Sequence, residues 1–323
     1  MKGVLEMSYD IVTVGPLLCE VMRKELDQPL YRTADLIGPY PSGDTPIMIN
    51  AAAKLGAKCA MIGVAGDDDF GRCVTNRLKE SGVDCSMVRS HPNASTGVAF
   101  VCYFSDGSRN FLYHVHHAAP GMMTPDDIDI EKLKGTKWVH ITGFTMSVNE
   151  ESVKAVYKLV RDLPEDTMIS FDPNIRPEAL SVEEIKKMCA PVIERASLIF
   201  PSKTEAAMFT GAKNDEEGCK IWASQGKLVV LKNGEAGCRI FTGDQVLNIP
   251  GFAITEVDPT GAGDTFCGAF LVALTEGKDL THCGVFANAA GALSVQKQGP
   301  MEGAPSRAEL ETFIKHASLG SER

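Results

Sequence analysis

Several common signatures are missing from this 323-residue chain. It has no GxxxxGK run followed by Ser or Thr, and no GxGxxG follows the first apolar run, so neither a P-loop site nor a dinucleotide-binding fold is supported. It has no run of Lys or Arg, and its formal net charge is −10, which argues against a nucleic-acid partner. No apolar run is long enough to cross a bilayer, so no membrane partner is expected either.

Paired cysteine motifs are also missing. The ten cysteines are scattered singly, without a CxxC pair. This pattern favours buried, reduced thiols in a cytoplasmic protein over a disulfide framework. The first residues contain no apolar signal core. We therefore expect one domain over residues 9–318, with flexible ends at 1–8 and 319–323.

The chain does contain an alternation of short apolar runs and helical patterns. The apolar runs predict strands at 10–14, 58–63, 138–142, 167–171, 198–201 and 228–232. Helical patterns occupy 47–54, 71–81, 150–163, 182–195, 203–210 and 217–225. This order predicts an α/β fold with a mostly parallel sheet covered by helices.

Two segments break this alternation. Residues 95–117 predict two strands around an Asp106–Gly107 turn, and residues 30–38 have no helical period. Strands without crossover helices suggest a small additional sheet, built from about 17–40 and 95–118. We expect it to form a lid over the carboxyl ends of the parallel strands, where α/β sheets bind ligands.

The run DPTGAGDTFCGAF, residues 258–270, places Gly261 and Gly263 before a helix predicted over 265–276. Glycine allows close backbone approach to a ligand, and the N–H groups of a helix N-terminus suit an anion. Asp264 is either a helix cap or a base beside a bound phosphate.

This run resembles the C-terminal signature of the PfkB (ribokinase-like) carbohydrate kinases. Further similarity lies in Asp172-Pro173-Asn174-Ile175-Arg176, in GVAGDDDFG at 63–71 and in LKNGEAG at 231–237. The IGPYPSGDTP and FLYHVHHAAPG runs look like tagatose kinase and fructokinase members. The resemblance implies a ribokinase-like three-layer α/β/α sandwich with a β lid and ATP-dependent phosphorylation of a sugar hydroxyl.

The resemblance also implies roles at the nucleotide end. Asp264 would be the general base, and the N–H groups of Gly261, Ala262 and Gly263 would hold the transferring phosphoryl. Glu205 would support Mg²⁺ through water, although Ser202 replaces the Asn of the family's N-x-x-E motif, and Asp258 would help to hold a monovalent cation such as K⁺. The nucleotide-binding residues implied are Asn174, Ser202, Glu205, Lys232, Gly234, Gly237 and Asn288.

The substrate end departs most from the family pattern, because Glu20 stands where many members have Asp and Ile47 where many have Asn. We expect a ketohexose of the tagatose or fructose type. A 2-keto-3-deoxygluconate kinase, a ribose or nucleoside kinase and a non-catalytic sugar or nucleotide sensor remain alternatives. A homodimer through the lid is also expected. The substrate-binding residues implied are Glu20, Gly43, Asp44, Tyr103, Arg109, His116, Arg176 and Asp264.

Overall fold

The computed structural model describes residues 8–175 and 181–320. These residues form thirteen strands in two sheets. The strands are β1 Ile11–Val14, β2 Leu18–Arg23, β3 Leu36–Ser42, β4 Cys59–Gly66, β5 Asp84–His91, β6 Gly97–Tyr103, β7 Arg109–His114, β8 Trp138–Thr142, β9 Met168–Asp172, β10 Leu198–Ile199, β11 Leu228–Lys232, β12 Cys238–Thr242 and β13 Gln245–Ile249.

The large sheet has the order β13-β12-β11-β10-β9-β8-β1-β4-β5. Strands β11 to β5 in this order pair in parallel, whereas β12 and β13 are antiparallel and form one edge. Because the parallel strands point the same way, the residues that follow β1, β8, β9, β10 and β11 meet at one edge of the sheet.

Helices cover both faces of the large sheet. Buried residues of α3 to α7 pack on one face with Val12 and Phe171, and those of α1, α2 and α8 to α10 pack on the other with Ile11 and Phe200. The helices are α1 Asp44–Lys54, α2 Asp69–Glu80, α3 Gly143–Ser147, α4 Glu150–Asp162, α5 Val182–Arg195, α6 Glu205–Thr210, α7 Asp215–Ser224, α8 Ala262–Thr275, α9 Leu280–Ser294 and α10 Arg307–Gly320.

The small sheet has the order β3-β2-β6-β7 and is separate from the large one. Its β6–β7 hairpin turns at Gly107, which has a φ of 81°. Because paired residues share a face, Glu20, Ala99 and Tyr113 form one row across β2, β6 and β7, and Val21, Phe100 and Leu112 form the neighbouring row on the opposite face.

Most predicted elements agree with the structure to within a few residues, and the hairpin is confirmed. Three differences matter. Helix α8 begins at Ala262 instead of 265, so Asp264 lies inside its first turn and is not its cap. The strand expected at 198–201 is only Leu198–Ile199. Strands β5, β12 and β13 were not predicted, because their residues are only partly apolar.

Two other expectations concern composition. The ten cysteines are unpaired, and eight of them are buried. Within the described ranges, we find no helix of the length and apolar character needed to span a membrane.

The packing of α8 against α1 generates a stability prediction. A Cβ at Gly268 would lie 2.5 Å from the Met48 carbonyl oxygen, a backbone atom of α1. We expect Gly268→Ala to lower the free energy of unfolding by about 1–3 kcal/mol in urea denaturation. Gly291→Ala in α9 is the matched control, since a Cβ there would lie 3.4 Å from the Ala262 carbonyl oxygen, an ordinary van der Waals contact. Equal destabilisation of both variants would contradict this account.

Candidate active site

A cavity of about 310 Å³ lies between the carboxyl ends of the parallel strands and the inner face of the small sheet. It brings together residues that are far apart in the sequence. Eleven residues predicted for the site line it: Glu20, Gly43, Asp44, Arg109, Asn174, Ser202, Glu205, Lys232, Gly261, Gly263 and Asp264.

Other predicted residues lie beside the cavity or away from it. Gly234 begins a short 3-10 turn after β11, and Gly237 follows that turn with a φ of 90°. Asn288 is buried on α9, and its Nδ2 donates to the Ile249 and Pro250 carbonyls at 3.2 and 3.0 Å. Ala262 is the first residue of α8.

His116 does not line the cavity. Strand β7 ends at His114, so strand alternation does not place His116 on the same face. Its exposed ring is hydrogen-bonded through Nδ1 to the Val148 carbonyl instead. Arg176, also predicted to contact the substrate, lies outside the described residues.

Helices α1 and α8 open towards the cavity without side-chain caps. They begin after Gly43 and Gly261, whose φ angles are 110° and 82°. By contrast, Asp68, Asn149 and Asp279 cap α2, α4 and α9 with their side chains. Uncapped N–H groups at a helix N-terminus are available to an anion. In α1, however, the Thr45 N–H already donates to Oδ1 of Asp44 at 2.8 Å.

The start of α8 tolerates no side chain at Gly261. A Cβ there would lie 2.6 Å from the Pro300 oxygen and 3.0 Å from Cγ2 of Ile47. A Cβ at Gly263 would lie 3.5 Å from Nζ of Lys232, so this lysine ammonium sits beside the helix N-terminus. Asp264 follows in the first turn and lines the same cavity.

Asp172 and Lys232 form a buried ion pair at the ends of β9 and β11. Burial acts to lower the pKa of Lys232, but the Asp172 and Glu205 carboxylates outweigh it and hold the pKa above its ordinary value. The Cys267 thiol lies 3.5 Å from Oδ2 of Asp172, and burial raises its pKa well above the usual range. The thiol therefore stays protonated and donates to Asp172.

Glu205 is a second buried carboxylate of the cavity wall. One oxygen accepts the Ser202 N–H at 2.7 Å, and the other accepts the Ile175 N–H at 3.0 Å. Burial and the Asp172 charge raise its pKa, whereas Lys232 and these two N–H groups oppose the shift. Ser202 thus contributes its backbone to Glu205, while its side chain lines the cavity.

Asn174 links the end of β9 to α1. It has a φ of 37°, which is uncommon outside glycine, and its N–H donates to Oδ1 of Asp172 at 3.1 Å. Its Nδ2 donates to Oδ2 of buried Asp44 at 2.9 Å. Asp44 in turn accepts from the Thr45 N–H.

Glu20 lies on the small-sheet side of the cavity and is only 1% exposed. Its Oε2 accepts a long 3.5 Å hydrogen bond from Ser42, and its Oε1 has no partner. Burial, reinforced by the Asp258 charge, raises the pKa of Glu20 to about 8, although Arg109 and Ser42 oppose the shift. The carboxyl is therefore largely neutral at pH 7.

Asp258 organises the loop that precedes α8. It accepts from the Tyr103 hydroxyl at 2.9 Å and from the N–H groups of Thr260 and Gly299 at 3.0 and 2.9 Å. The Tyr103 hydroxyl also contacts Oγ1 of Thr260 at 2.5 Å. Burial and the Glu20 and Asp258 charges raise the pKa of Tyr103. Tyr103 thus connects the small sheet to the loop.

The cavity also contains residues that the sequence analysis did not assign to it. Phe111 and Tyr113 stack with ring centroids 5.5 Å apart, and Tyr113 lies 5.3 Å from Phe144. Arg109 lies 5.5 Å above the Phe111 ring. Alternation of Arg109, Phe111 and Tyr113 along β7 is the signal that could have identified this wall.

A model of the pfkB family carbohydrate kinases matches residues 11–307. The chain belongs to the PfkB family of carbohydrate kinases. This PfkB chain is 31% identical to the fructokinase-1 of Zea mays over 290 residues, which cover 86% of this chain and 89% of that protein. It is accordingly a phosphotransferase.

Solved structures confirm the ribokinase-like fold. An E. coli protein assigned as a ribokinase II, in complex with ATP and Mg²⁺, superposes with a TM-score of 0.90 and 34% identity, covering 95% of this chain and 99% of that one. Fructokinase from Vibrio cholerae O395, bound to fructose, ADP and calcium, gives a TM-score of 0.80 at 26% identity, with coverages of 96% and 99%.

The buried Glu20 generates a pH prediction. A free glutamate titrates near 4.3, so a folded pKa of about 8 means that the folded state binds more protons between these values. The stabilisation is fully present below about pH 4 and is lost as the pH rises through about 8. Between pH 5 and 8.5 we expect the free energy of unfolding of the native protein to fall, relative to Glu20→Gln, by on the order of 3 kcal/mol.

Urea denaturation at several pH values measures this difference. Glu183→Gln is the control, because Glu183 is exposed in the first turn of α5. Parallel stability curves for the native protein and Glu20→Gln would contradict the assignment of a neutral, buried Glu20.

Proposed function

We propose that this PfkB kinase transfers the γ-phosphoryl group of ATP to a primary hydroxyl of a ketohexose, of the tagatose or fructose type. The observation that carries the proposal is the position of Asp264, which lines the cavity in the first turn of a helix whose N-terminus has no side-chain cap. The Asp264 carboxylate and the first-turn N–H groups of α8 then face the same space, and the Ala262 N–H also makes a long 3.4 Å hydrogen bond to the Pro259 carbonyl.

Phosphoryl transfer depends mainly on positioning and on stabilising charge. Asp264 would take the proton from the attacking hydroxyl, and the N–H groups of Gly261, Ala262 and Gly263 would hold the phosphoryl oxygens. Lys232 adds a positive charge beside Gly263. Asn174, Gly234, Gly237, Asn288 and Arg176 stay predicted contacts of the nucleotide and the substrate.

Mg²⁺ fits this arrangement through water and phosphate rather than through a protein cage. Across the described ranges, no three or more His, Cys, Asp or Glu side chains cluster to hold a metal ion. Mg²⁺ commonly keeps several waters and binds through one or two carboxylates and substrate phosphates. Glu205 can accept from such a water, since each of its oxygens uses one lone pair for a backbone N–H. Bound Mg²⁺ would neutralise phosphate charge.

A monovalent cation such as K⁺ near Asp258 also stays a prediction. The Asp258 carboxylate already accepts the three hydrogen bonds described above, from Tyr103, Thr260 and Gly299. A cation would therefore have to share these oxygens with their donors.

The sugar would lie at the small-sheet end of the cavity. The Glu20 carboxyl and Asp44 offer hydrogen bonds to hydroxyl groups, and the Phe111–Tyr113–Phe144 wall offers apolar surface to a sugar ring. The ketohexose assignment draws on the two fructokinases compared above. We also propose that the small sheet closes as a lid, and that the protein is cytoplasmic.

A sugar acid is the second candidate, and Arg109 favours it. Arg109 lines the cavity above Phe111, and burial keeps the nearby Glu20 largely neutral. A substrate carboxylate could therefore pair with the guanidinium without strong repulsion from Glu20. This arrangement keeps 2-keto-3-deoxygluconate among the candidate substrates.

The base assignment predicts that Asp264→Asn lowers kcat by about 100-fold to 10,000-fold. The amide keeps the shape of the side chain but cannot accept the proton, so the affinity for the nucleotide should change little. Asp69→Asn is the matched control, because Asp69 is also a first-turn helix acid but is exposed on α2. Coupled ADP release measures both variants.

The substrate panel is tagatose, fructose, 2-keto-3-deoxygluconate, ribose and adenosine, each with ATP and Mg²⁺. Preference for a ketohexose supports the first candidate, and preference for the sugar acid supports the second. Turnover that survives Asp264→Asn would overturn the mechanism. Nucleotide binding without turnover of any sugar would favour a sensor.

The outer face of the small sheet supports the proposed homodimer. Val21, Phe100 and Leu112 form an apolar row there, and Leu112 and Leu36 are 49% and 45% exposed. A second copy of the chain would bury this row. We expect Leu112→Glu to shift the protein to monomers in sedimentation velocity, since it places a charge in the interface.

Ile221→Glu is the control for this experiment, because Ile221 is 41% exposed on α7, far along the chain from the small sheet. A native protein that is monomeric at high concentration would refute the dimer. An unchanged dimer in Leu112→Glu would place the interface elsewhere.

A further inference from the structure

Among the residues that the structure describes, two with cationic side chains line the cavity, Arg109 at the small sheet and Lys232 at the large sheet. Lys232 is the one beside the N-terminus of α8, because its Nζ would lie 3.5 Å from a Cβ at Gly263. An ammonium group has three protons to donate. The hydrogen-bond partners of Lys232 therefore determine whether its ammonium can contact a phosphoryl group bound to the α8 N–H groups.

Asp172 is the residue that orients the Lys232 ammonium. It is 2% exposed, and its Oδ2 accepts from Lys232 and from the Cys267 thiol. Its Oδ1 accepts the Asn174 N–H. One carboxylate thus holds groups from β11, α8 and the segment after β9.

The other neighbours of Lys232 leave its ammonium able to donate a hydrogen bond into the cavity. The Cys267 sulfur lies 3.9 Å from Nζ and is a weak acceptor, so Asp172 is the one strong hydrogen-bond partner shown for this ammonium. Lys232 nevertheless lines the cavity. Its charge can therefore be shared between Asp172 and an incoming anion.

We propose that Asp172 is a positioning residue for phosphoryl transfer, which holds the Lys232 ammonium beside Gly263 and thereby aims it at the transferring phosphoryl. This inference rests on the proposed kinase reaction. Asp172 also lines the cavity, but its oxygens are turned to Lys232, Cys267 and Asn174. Its effect on the reaction would pass through Lys232.

The proposal predicts a double-mutant cycle with strong coupling. Asp172→Asn leaves the ammonium without its counter-ion, so Lys232 turns towards the nucleotide phosphates. We expect kcat to fall about 10-fold or more, while the Kd for ADP, measured by calorimetry without sugar, stays the same or decreases. Lys232→Met should lower kcat and raise the Kd for ADP.

The double variant separates positioning from a purely structural role. If Asp172 acts through Lys232, Asp172→Asn should change kcat less than about 3-fold once Lys232 is Met. Asp172→Asn alone is also expected to lower the midpoint of thermal unfolding, since it strands a buried charge, and the double variant should recover part of that loss. Comparing Lys232→Met with the double variant keeps the test decisive if Asp172→Asn fails to fold.

Glu302→Gln is the control, because it breaks the partly buried Arg77–Glu302 pair, and neither of these residues lines the cavity. Additive effects on kcat, or a Kd for ADP that rises together with the loss of kcat in Asp172→Asn, would overturn the proposal. The ADP and unfolding measurements need no sugar, so a wrong substrate assignment would not be mistaken for a failure of this inference.

Discussion

The buried pair of Asp172 and Lys232 is the interaction on which the site depends. The two residues end β9 and β11, which are separated in the sheet by β10. The pair can reach across because β10 stops after Ile199, and Ser202 then makes only an isolated bridge to Lys232. A buried charge is tolerated only when it is paired, so neither residue can be replaced alone without cost. The early end of β10 is therefore a structural requirement of the Asp172–Lys232 pair.

At the large-sheet side of the cavity, the buried carboxyl groups outnumber the buried ammonium groups. Asp172 and Glu205 are both buried beside a single ammonium, and Glu205 responds with a raised pKa. Two backbone N–H groups hold Glu205 in place despite the repulsion. Such a site favours a ligand that brings both phosphate for Lys232 and α8 and a cation for the carboxylates. The nucleotide and metal ion of the proposed reaction would satisfy these demands together.

Much of this arrangement could be predicted from the sequence, because it follows local rules. The alternation of apolar runs located most parallel strands, and the glycines at 261 and 263 marked the helix that begins at the cavity. Contacts between distant segments could not be predicted. The link from Tyr103 to Asp258 spans 155 residues, and that from Asn174 to Asp44 spans 130. His116 shows the limit of strand alternation, since the strand ends two residues earlier.

The two ends of the cavity differ in the kind of group that they can bind. At the large sheet, Lys232 keeps its positive charge at any ordinary pH, because the Asp172 and Glu205 carboxylates hold its pKa above the ordinary value, and it lies beside the N-terminus of α8. At the small sheet, the charge depends on Glu20, whose pKa of about 8 lies near neutrality and whose ionisation would compensate Arg109. Below this pH the neutral Glu20 leaves the Arg109 charge uncompensated by this carboxyl, and above it the Glu20 carboxylate offsets the guanidinium charge. Under the proposed function, Glu20 and Arg109 would therefore discriminate between neutral sugars and sugar acids, while the residues at the large sheet would carry the phosphoryl transfer.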